Sequence, residues 1–304
     1  MPLPRIVFMG SPAFAVPSLR ALAPSIVGVV TQPDRPAGRG RQPTPCAVKV
    51  AAQELGLPII QPEQMALALD QLRAWQPDLI VVAAFGKILR PNVLALPALG
   101  CLNVHASLLP RHRGAAPIPA AILAGDAEAG ITLMKMDEGL DTGPTVAQRA
   151  IPIEPGDTTT TLTSRLAILG ADLLRETLPA LLTGELAPVP QNAGLATYAP
   201  QLKKEDGLLR FGDTAQSLER RVRAMNDWPG AYVLYRGAPL KILRAHAQPA
   251  PAAEPGRVVK TGNLPAIGGA GGLLVLDEVQ PAGKKPMPAA AYLNGNPAFI
   301  GAQL

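Results

Sequence analysis

Short, uninterrupted apolar runs alternate with segments of helical periodicity through the first half of this 304-residue chain. Three of the runs are "RIVFMG" (5–10), "SIVGVVTQ" (25–32) and "DLIVVAAF" (78–85). Apolar runs of this length without polar alternation are typical of strands that are buried on both faces. Because helical segments separate them, the runs predict an α/β fold built on a doubly wound, mostly parallel sheet.

Other segments complete the predicted sheet and its helices. Further strands are expected at 57–60 and 101–106, and helices at 13–22, 47–56, 67–75 and 120–125. An antiparallel pair at 131–143 and 146–153 and a long amphipathic helix at 158–184 follow. Ligands of such sheets bind at the carboxyl ends of the strands, so a site is expected at that edge.

The pattern changes after residue 184. Residues 185–205 are rich in Pro, Gly and Asn and lack periodicity, which is typical of a linker. Beyond them we expect one helix at 214–226, a hairpin with its turn at Arg236 and Gly237, and further short strands. The predicted parts are an α/β domain (1–184), a linker (185–205) and a small C-terminal β-barrel of the oligonucleotide-binding type (206–304).

The net charge of +5 is unevenly placed along the chain. Acidic and basic side chains balance over residues 1–200, so the whole excess falls in 201–304. Within the balanced part, the loop after the second predicted strand carries Arg35, Arg39 and Arg41. A basic loop with a basic C-terminal third suits a polyanionic partner such as nucleic acid. The alternative is a cationic surface that only keeps the protein soluble.

Several common types of site and segment find no support in the sequence. Cys46 and Cys101 have no spacing that suggests a metal site, and two thiols in a chain of this length indicate a reduced, cytoplasmic setting. The first apolar run is too short for a signal peptide or a membrane span, so no membrane is expected. The turn at Gly10 lacks the further glycines of a dinucleotide-binding motif and is interpreted as an ordinary strand-to-helix turn.

Asn103 and His105 end a predicted strand two residues apart, so their side chains point to the same side. Asp141 lies in the Gly-rich turn "GLDTG" after a later strand. If that turn reaches the same edge, its carboxylate would orient the imidazole and favour the protonated form. Such a set can stabilise an oxyanion and move a proton. The alternatives are a histidine satisfied within the core and a turn-forming aspartate.

The loop after this strand supplies a rigid wall beside the pair. Leu108, Leu109 and Pro110 give an apolar surface for a flat ring system, and Arg111 and Arg113 attract carboxylates or phosphates. The alternative is a proline-stiffened loop whose arginines are simply solvated. No serine or cysteine nucleophile with a partner base is evident, so transfer would occur directly between two bound substrates.

The segments "MGSPAF", "TQPDRPAGRG", "NVHASLLPRHRGAAPI" and "MDEGLDTG" together resemble the methionyl-tRNA formyltransferase family. The similarity continues through "TYAPQLKKEDG", "RAMNDWPGA" and "QPAGKKPM", so it covers nearly the whole chain. The Asn-x-His-x-Ser-Leu-Leu-Pro segment with a later Asp is shared by the wider group that uses 10-formyltetrahydrofolate. The basic loop and the C-terminal domain point to the tRNA-dependent member. One position departs from the family, which carries Trp where this chain has His112.

The resemblance implies a role for each of these positions. The catalytic residues of the family are matched by Asn103, His105 and Asp141. The folate-binding stretch is matched by Ser107, Leu108, Leu109 and Pro110. Contact with the aminoacyl end and the acceptor arm of tRNA is implied for Phe14, Arg35, Arg39 and Arg41.

The resemblance also implies transfer of the formyl group of 10-formyltetrahydrofolate to the α-amino group of methionyl initiator tRNA, for translation initiation. The folate is then a co-substrate, no tightly bound cofactor or metal is expected, and the enzyme is expected to be a cytoplasmic monomer. One alternative is a sibling formyltransferase that acts on a small amine, such as a nucleotide-sugar or glycinamide ribonucleotide. The other is a non-catalytic RNA-binding protein.

Overall fold

The computed structural model of the chain describes residues 3–37, 42–250 and 254–304. They divide into two compact units. The first unit consists of Met1–Pro117, Glu128–Pro152 and Thr163–Ala199. The second consists of Ile118–Ala127, Ile153–Leu162 and Pro200–Leu304. The domain limits at 184 and 205 that the sequence suggested stay a prediction.

A seven-stranded sheet organises the first unit. The strands of this unit are β1 (Ile6–Gly10), β2 (Ile26–Val30), β3 (Arg35–Ala37), β4 (Gln42–Thr44), β5 (Ile59–Ile60), β6 (Leu79–Ala83), β7 (Cys101–His105), β8 (Arg113–Gly114), β9 (Glu128–Lys135), β10 (Thr145–Pro152) and β11 (Tyr198–Ala199). The order in the large sheet is β10-β9-β7-β6-β1-β2-β5. Strands β7, β6, β1, β2 and β5 run parallel, and β9 and β10 are antiparallel. The predicted doubly wound, mostly parallel sheet is confirmed.

Helices separate these strands at the places that the sequence pattern predicted, and one short helix, Pro91–Leu94, was not predicted. They are α1 (Val16–Leu22), α2 (Ala47–Glu54), α3 (Leu69–Trp75), α4 (Pro91–Leu94), α5 (Pro117–Ala124) and α6 (Thr159–Leu182). Every residue of β1 and β6 is buried, and Leu72 and Trp75 of α3 join their core cluster. Gly28 in β2 makes this packing possible, because a Cβ there would lie 2.4 Å from the Trp75 ring.

The second unit is organised by antiparallel pairing. Its further helices and strands are α7 (Ala215–Ala224), β12 (Ala231–Tyr235), β13 (Ala238–Pro249), β14 (Val258–Thr261), β15 (Leu264–Gly269), β16 (Gly272–Pro281), β17 (Met287–Pro288) and α8 (Ala289–Gly295). The sheet order is β12-β13-β16-β15-β14, with β17 on β16. The predicted hairpin turn is confirmed: Arg236 and Gly237 have φ values of +52° and +77°, as a two-residue turn matched to strand twist requires.

Among the described residues, no helix combines the length and the apolar character that crossing a membrane requires.

Candidate active site

The connections after β1, β2 and β6 meet at the carboxyl edge of the parallel strands. The backbone N–H of Gln32 donates to Ser11 Oγ at 3.1 Å, and the Gln32 side-chain amide donates to the Phe85 carbonyl at 2.8 Å. Since Ser11 follows β1 and Phe85 follows β6, one glutamine ties three turns together. This is the edge at which the sheet topology favours a ligand.

β7 brings Asn103 and His105 to this edge on one side of the sheet. Asn103 is paired with Val82 of β6 and Met134 of β9, so it lies between two strands. Val104 projects to the other side and is 2% exposed. The two-residue periodicity of the strand therefore packs an apolar side chain against the core and keeps the two polar ones together.

The carboxylate of Asp141 lies between these two side chains. Asn103 Nδ2 donates to Asp141 Oδ1 at 3.4 Å, and His105 Nδ1 lies 3.6 Å from Asp141 Oδ2. The backbone N–H of Gly114 also donates to Oδ2, at 2.8 Å. The structure thus brings together the three residues that the sequence grouped and adds a backbone donor from Gly114.

A tight turn after β9 carries Asp141 to this place. Asp137 Oδ1 accepts hydrogen bonds from the Gly139 N–H at 3.0 Å and from Thr142 Oγ1 at 2.7 Å. Gly143 is required, because a Cβ there would lie 1.8 Å from the Lys135 carbonyl oxygen. Asp141 itself has φ +51°, a left-handed conformation that costs a non-glycine residue about 1–3 kcal/mol.

The environment of His105 decides its protonation. Its Nε2 lies 3.1 Å from the His112 carbonyl oxygen, and since a carbonyl only accepts, Nε2 carries the hydrogen. Burial lowers the pKa of His105 and outweighs Asp141 and the His112 carbonyl, both of which raise it. The expectation that the carboxylate keeps this imidazole charged is therefore corrected, because desolvation of the buried ring is the larger effect.

The backbone of the stretch 107–110, which the resemblance matches to folate binding, is held by hydrogen bonds to the side chains of Thr132 and Gln148. Thr132 Oγ1 donates to the Ser107 carbonyl at 2.6 Å and accepts from the Leu109 N–H at 3.0 Å. The Gln148 amide donates to the Leu109 carbonyl at 2.6 Å. Leu109 is buried, so the side chains left partly exposed at this wall are those of Leu108 and Pro110.

The residues matched to tRNA contact lie on other connections. Phe14 is buried in a single 3₁₀ turn, Ala13–Ala15, directly after β1. Arg35 begins β3 and is exposed, and its guanidinium donates to Gln32 Oε1 at 3.2 Å. The other two arginines of the predicted cluster, Arg39 and Arg41, lie outside the described residues.

Arg113 has a different environment from the one suggested by sequence. It is 4% exposed, and its guanidinium donates to Gln191 Oε1 from Nε at 3.2 Å and from Nη2 at 2.8 Å. It is therefore engaged within the protein rather than directed at solvent or an anionic ligand.

Gln191 is a residue of the site that sequence reasoning missed. It lies in the segment predicted as a linker, yet β11 of the same segment pairs in parallel with β8 beside the site. Gly114 has φ +117°, and a Cβ there would lie 2.6 Å from the Ala199 carbonyl oxygen. Composition gave no signal, since Pro, Gly and Asn are equally typical of a free linker and of a loop packed against a site.

Two further observations bear on the chemistry. Within the described ranges, no group of three or more His, Cys, Asp or Glu side chains is arranged to hold a metal ion. Burial raises the pKa of the Cys101 thiol to about 12, so this cysteine is a thiol at neutral pH and a poor nucleophile.

The chain matches the family model described as formyl transferase over residues 7–178, and the model of the formyl transferase C-terminal domain over residues 201–297. The methionyl-tRNA formyltransferase of Roseiflexus sp. (strain RS-1) is 48% identical over 303 residues, which cover 97% of this chain and 93% of that protein. That of Myxococcus xanthus (strain DK1622) is 48% identical over 309 residues, covering 100% of this chain and 98% of the relative.

Two solved structures share the fold at low identity. The N-formyltransferase from Helicobacter canadensis, in complex with folinic acid and dTDP-3-aminofucose, has a TM-score of 0.69 at 17% identity, covering 92% of this chain and 100% of that one. HypX from Aquifex aeolicus, in complex with tetrahydrofolic acid, has a TM-score of 0.65 at 18% identity. The match covers 98% of this chain and 48% of HypX, so the chain spans about half the length of HypX.

Proposed function

This chain belongs to the methionyl-tRNA formyltransferase family, and we infer that it transfers the formyl group of 10-formyltetrahydrofolate to the α-amino group of methionyl initiator tRNA. The main structural support for this reaction is the position of the Asp141 carboxylate, which lies between the side chains of Asn103 and His105 at the end of β7. An amide, an imidazole and a carboxylate in contact supply what acyl transfer to an amine needs.

Asn103 is the donor for the negative charge that develops. When the amine attacks the formyl carbon, the formyl oxygen becomes an oxyanion. The Asn103 amide has two hydrogens, and Asp141 takes only one of them, so the second can donate to that oxygen. A donor of this kind is worth roughly 3–4 kcal/mol of transition-state stabilisation.

Asp141 and His105 act as one proton-accepting pair. The attacking nitrogen must lose a proton as its bond to the formyl carbon forms. A neutral His105 has its unprotonated Nδ1 facing Asp141, so a proton that arrives at the carboxylate is shared with the ring. The bond from the formyl carbon to N10 of the folate then breaks, and the proton passes to N10 as tetrahydrofolate leaves.

The substrates are assigned to the two ends of this site. The rigid stretch 107–110 receives the pterin of 10-formyltetrahydrofolate as a co-substrate, in keeping with the folates named for the two structures of the same fold. Phe14 and the arginines at 35, 39 and 41 contact the aminoacyl end and acceptor arm of the tRNA, whose phosphates suit a basic segment. The protein acts in the cytoplasm as a monomer, with no tightly bound cofactor.

The direct experiment is formyl transfer from 10-formyltetrahydrofolate to methionyl-tRNA. Free methionine and a nucleotide-linked amino sugar serve as competing acceptors, because a sibling enzyme for small amines would prefer one of them. Formylation of methionyl-tRNA alone is expected. Formylation of free methionine or of the amino sugar at a comparable rate would contradict the proposal, as would a protein that formylates none of the three acceptors.

A further inference from the structure

The side-chain amide of Gln191 uses both of its N–H donors and accepts two hydrogen bonds at its oxygen. Its Nε2 donates to the carbonyls of Asp141 and Gly143, at 2.9 and 2.7 Å. Its Oε1 accepts two hydrogen bonds from Arg113, at 3.2 and 2.8 Å. Since a carbonyl only accepts and a guanidinium only donates, these partners fix the orientation of the amide.

The two carbonyls that Gln191 holds belong to the turn that presents the Asp141 carboxylate. Asp141 is in the left-handed region at φ +51°, and such a conformation persists only where surrounding contacts impose it. Inside the turn, Asp137 accepts from Gly139 and Thr142. Gln191, which lies outside the turn, donates hydrogen bonds to the backbone carbonyls on both sides of Thr142. The contacts of Asp137 and those of Gln191 therefore fix the turn together.

Arg113 anchors the other end of the amide. It is buried, and a buried guanidinium is stable only when its donors are satisfied. The next residue, Gly114, donates its N–H to Asp141 Oδ2 at 2.8 Å. The strand β8 therefore reaches Asp141 twice, directly at the carboxylate and through Gln191 at the backbone.

The carboxylate distances leave little tolerance. Asn103 Nδ2 lies 3.4 Å from Asp141 Oδ1, at the far limit of hydrogen bonding, and His105 Nδ1 lies 3.6 Å from Oδ2, beyond that limit. A displacement of the turn by about 1 Å would remove these contacts, and shifts of that size can cost on the order of 100-fold in rate.

We propose that Gln191, in the segment predicted as a linker, is a positioning residue for Asp141. This inference rests on the function proposed above. Gln191 acts through the backbone of the 141–143 turn, and no role at the reacting atoms is assigned to it. Its loss should therefore lower the rate of the chemical step and leave the binding of both substrates unchanged.

The test compares Gln191→Glu with wild type in single-turnover formyl transfer to methionyl-tRNA. Glutamate keeps an acceptor for Arg113 but places carboxylate oxygens against two carbonyls. The rate is expected to fall about 10- to 100-fold, as for outer residues that orient a catalytic group, with the KM of each substrate within twofold of wild type. The matched control is Asn192→Ala, whose side chain accepts from Gly194 in the same segment; its rate should stay within twofold.

A double variant separates positioning from a general structural effect. If Gln191 works only through Asp141, then Gln191→Glu should cost nothing further in an Asp141→Ala background. Multiplied losses would overturn the proposal, as would a wild-type rate for Gln191→Glu or a loss explained by the unfolded fraction in thermal melts. If Gln191→Glu does not fold, Gln191→Asn, which keeps the amide on a shorter stem, is held to the same expectations.

Two controls distinguish failure of the positioning role of Gln191 from failure of the proposed function. An inactive wild type, or an Asp141→Ala protein at the wild-type rate, overturns the function and the positioning role together. A wild type that depends on Asp141 but tolerates Gln191→Glu overturns the positioning role alone.

Discussion

His105 Nδ1 lies 3.6 Å from Asp141 Oδ2, while the other ring nitrogen donates to the His112 carbonyl at 3.1 Å. The shorter contact thus orients the ring, and the longer one exceeds hydrogen-bond distance. Catalytic hydrogen bonds in free enzymes are often long and shorten in the complex with substrate.

The first prediction concerns the three catalytic candidates. Asn103→Ala, His105→Ala and Asp141→Ala should each slow the chemical step by about two to four orders of magnitude, because each removes a contact made mainly in the transition state. Single-turnover rates with both substrates saturating give the measurement. The combined losses should be smaller than the product of the single ones, since the groups act as a unit. A destabilised His105→Ala protein with a normal single-turnover rate would falsify the catalytic role.

The second prediction is a pH dependence of stability. Burial lowers the pKa of His105, so near pH 6.5 and below the unfolded chain binds a proton here that the folded protein excludes. Stability should therefore decrease as the pH falls from about 6.5 towards the lowered pKa, and this contribution is level at higher pH.

Urea unfolding of wild type and His105→Gln between about pH 5 and 8 tests this linkage. Carboxylates contribute to both proteins, so the difference between the two curves isolates the imidazole. The free energy of unfolding of His105→Gln should depend less steeply on pH than that of wild type. The difference in slope should be at most about 1.4 kcal/mol per pH unit, the value for one proton. Parallel curves would show that burial of His105 does not exclude a proton.

The third prediction separates two neighbouring leucines. Leu108 is partly exposed on the wall matched to folate binding, so Leu108→Ala should raise the KM for 10-formyltetrahydrofolate and leave the melting temperature nearly unchanged. Leu109 is 4% exposed, so Leu109→Ala should cost about 2–5 kcal/mol of stability. Steady-state kinetics and thermal melts of the pair provide the comparison; a stability loss at Leu108 with no change in KM would be the opposite pattern.

The fourth prediction concerns the basic segment. Arg39→Ala should weaken the use of tRNA far more than the use of folate, because a fixed charge near the acceptor arm pairs with phosphate. The log–log dependence of tRNA binding on salt should become shallower by roughly 0.7–0.9. Arg73→Ala, on the exposed face of α3 and paired with Asp70, is the matched control and should keep the wild-type slope. Equal slopes in all three proteins would rule out a phosphate contact at Arg39.

The sheet and its polar edge were predictable because they depend on local pattern. Uninterrupted apolar runs give buried parallel strands, and the two-residue spacing of Asn103 and His105 fixes their common side. β15 was missed because "LPAIGG" contains Pro265 and two glycines, which are depleted in strands. Tertiary pairing with β14 and β16 overrides that weak propensity.

The remainder of the site depends on contacts between distant segments. Nothing near Asp141 in sequence indicates that Gln191 will hold its carbonyl, because the amide reaches it only through the fold. The prediction that His105 is protonated was wrong for a related reason. The neighbouring carboxylate could be inferred from residue types, but the depth of burial that outweighs it follows from packing alone.

The separation between Asp141 and Gln191 along the chain has a consequence for the order in which the molecule matures. A nascent chain emerges from its N-terminus, and Gln191 follows Asp141 by 50 positions along the chain. All strands of the seven-stranded sheet precede that amide in the chain, so they can pair while it is still being synthesised. During synthesis, the complete active site should consequently form later than the sheet, when the last segment of its unit has been added.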